Sequence, residues 1–280
     1  MSAPVATYYV PDDAGWAACL MVDLRCRGIT IWDSKCAARD GAEVASRARA
    51  ILIVHSWHRG QGGPSSEEIL AVRDRGGPVV VVRRNETKLG IDDYPALENY
   101  PRVFKLALWD DYYQPGPSSD REVGGGFANL LTIFAGRPAE LQLRSDYIFI
   151  SYRQESDRAF VQEQVRPCLA LAGYASWDYR MSEHLSERAV ATKLRERVAA
   201  ASAVLLVATA HWWSPYTALE LATAREFGLP VLAVRPAATR ESRRAAVSGI
   251  PIHVMSADGP IADSLVDALA HTGIRTFGSE

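Results

Sequence analysis

Residues 203–234 read AVLLVATAHWWSPYTALELATAREFGLPVLAV. An apolar run, AVLLVAT (203–209), gives way to a stretch from Thr217 to Phe227 with helical spacing and then to PVLAV (230–234). Strands that are apolar throughout and joined through a helix predict a parallel sheet covered on both faces, because a sheet with one wet face would alternate polar and apolar residues. The same pattern extends outward in both directions. Upstream lie YIFIS (147–151), a helical stretch from Arg158 to Leu171, YASWD (174–178) and a helix around Val190 to Ala201. Downstream lie IPIHV (250–254) and a last helix near Ile261 to His271. The chain from Asp146 onward therefore predicts a doubly wound α/β domain.

The preceding residues repeat the order: TYYVP (7–11), a helix from Trp16 to Leu24, ITIWD (29–33), ARAILIVHS (48–56), a helix from Ser65 to Arg75, PVVVVR (78–83), RVFKLALW (102–109) and a helix from Phe127 to Phe134. GITIWD (28–33) aligns without gaps with GYASWD (173–178), and Glu68 to Pro78 is as long as Glu220 to Pro230. Internal similarity at a spacing of about 150 residues predicts two domains of one architecture, residues 1–137 and 145–280. RPAELQLR (137–144), which lacks strand character, joins them. The first copy is about eight residues shorter after its second strand, since Asp33 to Ile51 is 18 positions and Asp178 to Val204 is 26. Its first strand runs into PDDAG instead of SYRQESD. A degenerate first copy that pairs with or regulates the second is expected. Glu68 matches Glu220 by position but has no aromatic residue four positions earlier, so it is expected to be inactive.

Composition excludes several classes of function. Among 280 residues, 31 are basic and 33 acidic, a net charge of -2 with no segregation along the chain. Such a surface has no field to gather nucleic acid or an anionic membrane. Cys19, Cys26, Cys36 and Cys168 form no CxxC pair, which argues against a disulfide framework or zinc site and for a reducing cytoplasm. The longest apolar run, Ala203 to Ala208, is too short to cross a bilayer, and the first residues lack a secretory leader. His55 and His58 have no acidic or cysteine ligand nearby in sequence, so no metal is expected. The glycine runs GQGGP (60–64) and GGG (124–126) lack a following GK[ST] and read as turns.

Five features together resemble the TIR (Toll/interleukin-1 receptor) family: FISYR (149–153) with Asp157 and Phe160, Gly173 with Trp177 and Asp178, the strand after Ser202, SPYTALEL (214–221), and the strand opening at Pro230. The family pattern Ser-x-Trp-Cys-x-x-Glu-Leu is met here by Ser214, Tyr216, Thr217, Glu220 and Leu221, with Tyr for Trp and Thr for Cys. The resemblance implies two flavodoxin-like, doubly wound parallel-sheet domains in tandem, with the TIR domain proper at residues 145–280. It also implies an enzyme of bacterial type that cleaves NAD⁺ to nicotinamide plus ADP-ribose or a cyclic isomer, with Glu220 catalytic. Antiphage immune signalling, self-association through TIR domains, packing through Tyr179 to Arg188, and an effector or sensor protein as partner follow from the same resemblance.

The residues support that chemistry independently. In a doubly wound sheet the ligand crevice lies beyond the carboxyl ends of the strands, where the loops after Ile150, Asp178 and Thr209 converge. Ser151, Tyr152 and Arg153 offer hydroxyl donors and a fixed cation suited to a diphosphate. Trp213 and Tyr216 offer stacking faces beside Ser214, and Tyr216 and Glu220, four apart, share a helix face. Cleaving an N-glycosidic bond leaves an oxocarbenium-like ribose that a carboxylate stabilises, which suits Glu220 to the NAD⁺ substrate, used without a cofactor, that the resemblance implies. Asp157, early in a helix, and Asp178, at a strand end, are capping or dipole partners as readily as ligands. Trp177, repeated as Trp32, is expected to pack. Two rival readings are a TIR module that only recruits other TIR proteins and a nucleoside or nucleotide glycosyltransferase. An interaction module has no need of Arg153, Tyr216 and Glu220 together.

Overall fold

The computed structural model of the protein describes residues 3–33, 46–55, 63–84, 94–108, 121–135, 145–178, 187–237, 249–250, 252–255 and 263–277. The chain divides into two compact units, residues 1–141 and 142–278.

In the first unit, strands β1 (Val5–Tyr8), β2 (Ile31–Asp33), β3 (Ala50–His55), β4 (Val79–Arg84) and β5 (Val103–Leu108) form one sheet in the order β2-β1-β3-β4-β5. Every pairing is parallel. Helices α1 (Ala14–Arg25), α2 (Ser66–Asp74) and α3 (Arg121–Ala135) connect and cover it. Strand residues alternate between faces. Val5, Leu52, Val54, Val80 and Val82 pack with Leu20 and Leu24 of α1 and Phe127, Leu130 and Phe134 of α3. Ala6, Tyr8, Ile51, Ile53 and Val81 pack with Ile69 and Val72 of α2 on the other side. Both faces are dry, which is why these strands read as continuous apolar runs. The GGG at 124–126, read from sequence as a turn, lies within α3. The apolar stripe at Phe127, Leu130, Leu131 and Phe134 anchors that helix and offsets the roughly 1 kcal/mol that each interior glycine costs.

The second unit has the same plan. Strands β6 (Ile148–Ser151), β7 (Ser176–Trp177), β8 (Ala203–Val207), β9 (Val231–Pro236) and β10 (Ile252–Met255) pair in parallel in the order β7-β6-β8-β9-β10. After β6 the chain forms α4 (Gln154–Phe160), a π turn (Val161–Val165) and α5 (Arg166–Leu171). The sequence pattern starts this helix at Arg158, but it starts at Gln154, a full turn earlier. Val161, Val165 and Leu169 form its buried stripe, with Leu265 and Leu269 of the terminal helix α8 (Asp263–His271) on the same face of the sheet. Helices α6 (Glu187–Ala199) and α7 (Pro215–Glu226) complete the described residues of the unit.

The two sheets correspond in register as well as order. Val5 faces Ile31 and Ala50 across its two ladders, and Ile148 faces Ser176 and Ala203 across its own. Ile51 pairs with Val79 as Val204 pairs with Val231. Tyr8 therefore holds in the first sheet the place that Ser151 holds in the second. The turns correspond too: Gly28 (φ 78) follows α1 and Gly173 (φ 82) follows α5, in the left-handed region that only glycine enters without penalty. Trp177 is fully buried, its ring centroid 5.1 Å from that of Phe149 and 5.8 Å from the Arg197 guanidinium. Trp32 lies 5.2 Å from the Arg47 guanidinium.

Candidate functional site

The order β7-β6-β8 reverses chain direction of travel between β6 and β8, which makes the carboxyl ends of these two neighbours the switch point where a doubly wound fold opens its crevice. Ser151 is the last residue of β6, and Thr209 lies two residues beyond β8. The loop after β8 leads into α7 through a capping box. The Ser214 side chain accepts from the Thr217 amide at 3.1 Å, and the Ser214 amide donates to the Thr217 hydroxyl at 2.8 Å. Pro215 sits at the first helical position, its fixed φ suited to the start.

This start sets the depth of the next residues. Trp213, just before the cap, is 50% exposed and Tyr216 43%, whereas Glu220, one turn further, is only 6% exposed. Tyr216 and Glu220 share a helix face, as their spacing predicts, but one lies at the rim and the other in the interior. Glu220 Oε2 accepts a hydrogen bond from the Ser151 hydroxyl at 2.5 Å, and Ser151 is itself fully buried. Burial raises the Glu220 pKa to about 8, and the Ser151 bond, which favours the carboxylate, opposes that rise in part. Among the described residues no charged group shares in the shift. Glu220 Oε1 accepts no hydrogen bond among the described residues, so this carboxyl keeps one oxygen for an incoming group.

A second buried carboxyl stands at the same end of the sheet. Asp157 of α4 accepts from the Thr209 hydroxyl at 3.1 Å, which ties the start of α4 to the loop after β8. Burial raises its pKa, and the Thr209, Ser156 and Arg153 hydrogen bonds and the His211 charge pull it back.

The remaining sequence candidates separate by burial. Arg153, the residue capping α4, is partly exposed and paired with Glu155 at 2.8 Å, a pair open enough to exchange for an anionic ligand. Tyr152 is buried in the core cluster that also holds Ile150 and Val161. Asp178 is fully buried and accepts from the Gln162 amide at 3.0 Å, while Gln162 in turn accepts from buried Arg166 at 3.1 Å. This places Asp178 in a polar chain that ties the π turn to the end of β7. Ser214 is engaged in its helix cap. Glu220, Ser151, Arg153, Trp213 and Tyr216 are thus left along the switch point, its rim and its flanking helix starts.

Sequence reasoning took Ser151 for a ligand donor and missed its bond to Glu220. A hydroxyl ending a wholly buried strand needs a partner, and that is the signal that was available. It also missed Thr209 with Asp157 and the Gln162 link, both of which depend on the fold. Of the segment from Tyr179 to Arg188, expected to pack against neighbours, residues 179–186 lie outside the described residues, as do Cys36 and His58.

The first unit holds a parallel arrangement. The Tyr8 hydroxyl donates to Glu68 Oε1 at 2.8 Å, and the Ser65 amide donates to Glu68 Oε2 at 2.7 Å. Tyr9 donates to both oxygens of Asp33, at 2.9 and 2.8 Å.

Residues 148–250 match the family model described as TIR domain. No curated protein matches the chain. Among solved structures, a two-component system response regulator/GGDEF domain protein is 12% identical, with 97% of this chain and 98% of that one covered at a TM-score of 0.28. A C2-type ketoreductase from a modular polyketide synthase is 16% identical, with 96% and 67% covered at 0.28. A phosphosugar isomerase from Silicibacter pomeroyi DSS-3 is 13% identical, with 98% and 88% covered at 0.30. None of these likenesses bears on function.

Proposed function

From the premise that residues 148–250 carry a TIR domain, we propose that this protein is an enzyme that cleaves the N-glycosidic bond of NAD⁺, with Glu220 as its catalytic carboxyl. The observation that carries the reading is the state of Glu220: buried at the switch point, anchored by one oxygen to Ser151 and open at the other. In the reaction the bond from ribose C1′ to the nicotinamide nitrogen breaks, and its electron pair leaves with the nitrogen, which becomes neutral. The positive charge moves to the ribose as an oxocarbenium ion. Water then adds at C1′ and gives up a proton, which yields ADP-ribose. Alternatively, a nucleophile elsewhere on the same molecule attacks and yields a cyclic isomer.

Glu220 Oε1 accepts from a ribose hydroxyl and opposes the growing charge in a dry site, where such interactions are strongest. Burial favours the protonated acid at neutral pH. The cationic nicotinamide ring favours the carboxylate, so binding and ionisation are coupled. Trp213 and Tyr216 supply flat faces at the rim, and Arg153 exchanges Glu155 for the diphosphate.

The first unit, in this reading, is a degenerate copy of the second, and TIR to TIR contacts between chains assemble the working state. An effector or sensor protein, a cytoplasmic setting and a bacterial antiphage role belong to the same proposal. Among the described residues no helix is long and apolar enough to cross a membrane.

The test is liquid chromatography with mass spectrometry after incubating concentrated full-length protein and its Glu220→Ala variant with NAD⁺. Nicotinamide released by the parent and not by the variant supports the enzyme, and the accompanying product distinguishes hydrolysis from cyclisation. Turnover by neither, even when assembled, leaves the interaction module. Base exchange on deoxynucleosides without action on NAD⁺ points to the glycosyltransferase.

A further inference from the structure

We propose that Ser151 is a positioning residue that holds the Glu220 carboxyl by one oxygen so that the other faces the crevice, and that it is not a ligand for the substrate. The inference rests on the reading of Glu220 as the catalytic carboxyl. Ser151 has no exposed surface, and its hydroxyl is committed to Glu220 Oε2 at 2.5 Å. A diphosphate cannot reach a hydroxyl with no surface unless the strand end moves.

Among the described residues, no second side-chain donor reaches Glu220. Strand β8 (Ala203–Val207) is wholly apolar and brings no donor. Of the charges on α6 and α7, Arg195 pairs with Glu226, six residues beyond Glu220, and Lys193 approaches Glu196 at 4.0 Å. None of these, nor Arg197, Arg225, Arg153, Asp157 or His211, shifts Glu220, on which only burial and Ser151 act. At the same strand position of the first unit Tyr8 donates its hydroxyl to Glu68, whose other oxygen is taken by the Ser65 amide. Both units place a hydroxyl from the end of the first strand on the glutamate of the helix after the third.

A hydrogen bond to the ionised form makes ionisation easier. Removing it should therefore push the Glu220 titration upward and reduce the reactive fraction at neutral pH. The experiment compares full-length parent, Ser151→Ala and Ser151→Thr by carbon-13 NMR of labelled glutamate carboxyls, with the Glu220 signal assigned through Glu220→Gln, and by nicotinamide release from NAD⁺ across pH. Ser151→Ala should move the Glu220 midpoint and the pH profile upward by about one unit and lower kcat at pH 7 about tenfold, with KM changed less than about twofold. Ser151→Thr, which keeps the hydroxyl, should restore both. A midpoint and profile unmoved in Ser151→Ala overturns the proposal, as does a rise in KM at constant kcat, which would make Ser151 a substrate ligand. If the parent releases no nicotinamide, the proposed reaction fails, while the carboxyl titration still decides whether Ser151 governs Glu220.

Discussion

Glu68 and Glu220 occupy corresponding places in two sheets of the same order and register, and they are used in opposite ways. Glu68 has both oxygens occupied by the protein, Oε1 by Tyr8 and Oε2 by the Ser65 amide. It is the third residue of its helix and closes a capping box with Ser65, so it serves as a structural bolt. Helix α7 ends at the corresponding residue but begins one turn earlier, and its capping box is completed by Thr217. Glu220 is thereby released from capping and keeps one free oxygen in a buried place. A carboxyl whose hydrogen bonds are all made by its own fold is stabilising, whereas one left half satisfied and desolvated is costly to keep and therefore suggests function.

The largest expected effect separates the two residues outright. Glu220→Gln should lower nicotinamide release on the order of 10²- to 10³-fold or more, while Glu68→Gln should leave kcat within about twofold. Steady-state assays on both variants check this. Equal losses would remove the distinction between bolt and catalyst.

The second effect concerns pH. Glu220 binds its proton more tightly folded, with a pKa of about 8, than unfolded, near 4.5. Burial therefore costs nothing below the lower value, an increasing amount between the two and a constant amount above about 8. By pH 7 that cost reaches about 3 kcal/mol, so Glu220→Gln should raise the unfolding free energy at pH 7 and gain little at pH 4.5. Denaturant titrations at the two pH values read the difference. In activity the same group should give kcat/KM rising with pH and levelling above about 8.

A smaller loss should follow Tyr8→Phe, which leaves Glu68 Oε1 without its partner in the interior. About 1–2 kcal/mol of stability should disappear with no change in NAD⁺ turnover, measured by chemical denaturation beside the assay. Smallest of all is Trp213→Ala at the rim. It removes a stacking face worth about 1 kcal/mol, which should raise KM several-fold and leave stability unchanged. A stability loss there instead would mean that Trp213 packs rather than binds.

Much of this comparison was legible in the sequence. The apolar runs at 147–151, 203–209 and 230–234 pointed to the parallel sheet, and the matched stretches Gly28 to Asp33 with Gly173 to Asp178 anticipated the common register. Glu68 was identified as the positional counterpart of Glu220. Its engagement by Tyr8 was not, since 60 residues separate the two in the chain and no local pattern links them. Asp178 and Tyr152, candidates by strand-end position, are held in the interior by Gln162 and by core packing, because a strand end can face either the crevice or a covering helix.

Sequence by itself determined the class of fold and the helix bearing Glu220, because hydrophobic period is a local property readable over a dozen residues, whereas the cap at Ser214, expected among the substrate residues, emerged only from the structure. The tertiary structure alone decided that Ser151 meets Glu220 across 69 positions, that Thr209 meets Asp157 across 52, and that one glutamate is saturated where its counterpart is not. Burial and hydrogen-bond satisfaction arise only when distant segments share one interior. The chemistry of a carboxyl follows from those two quantities and not from the residues beside it in the chain.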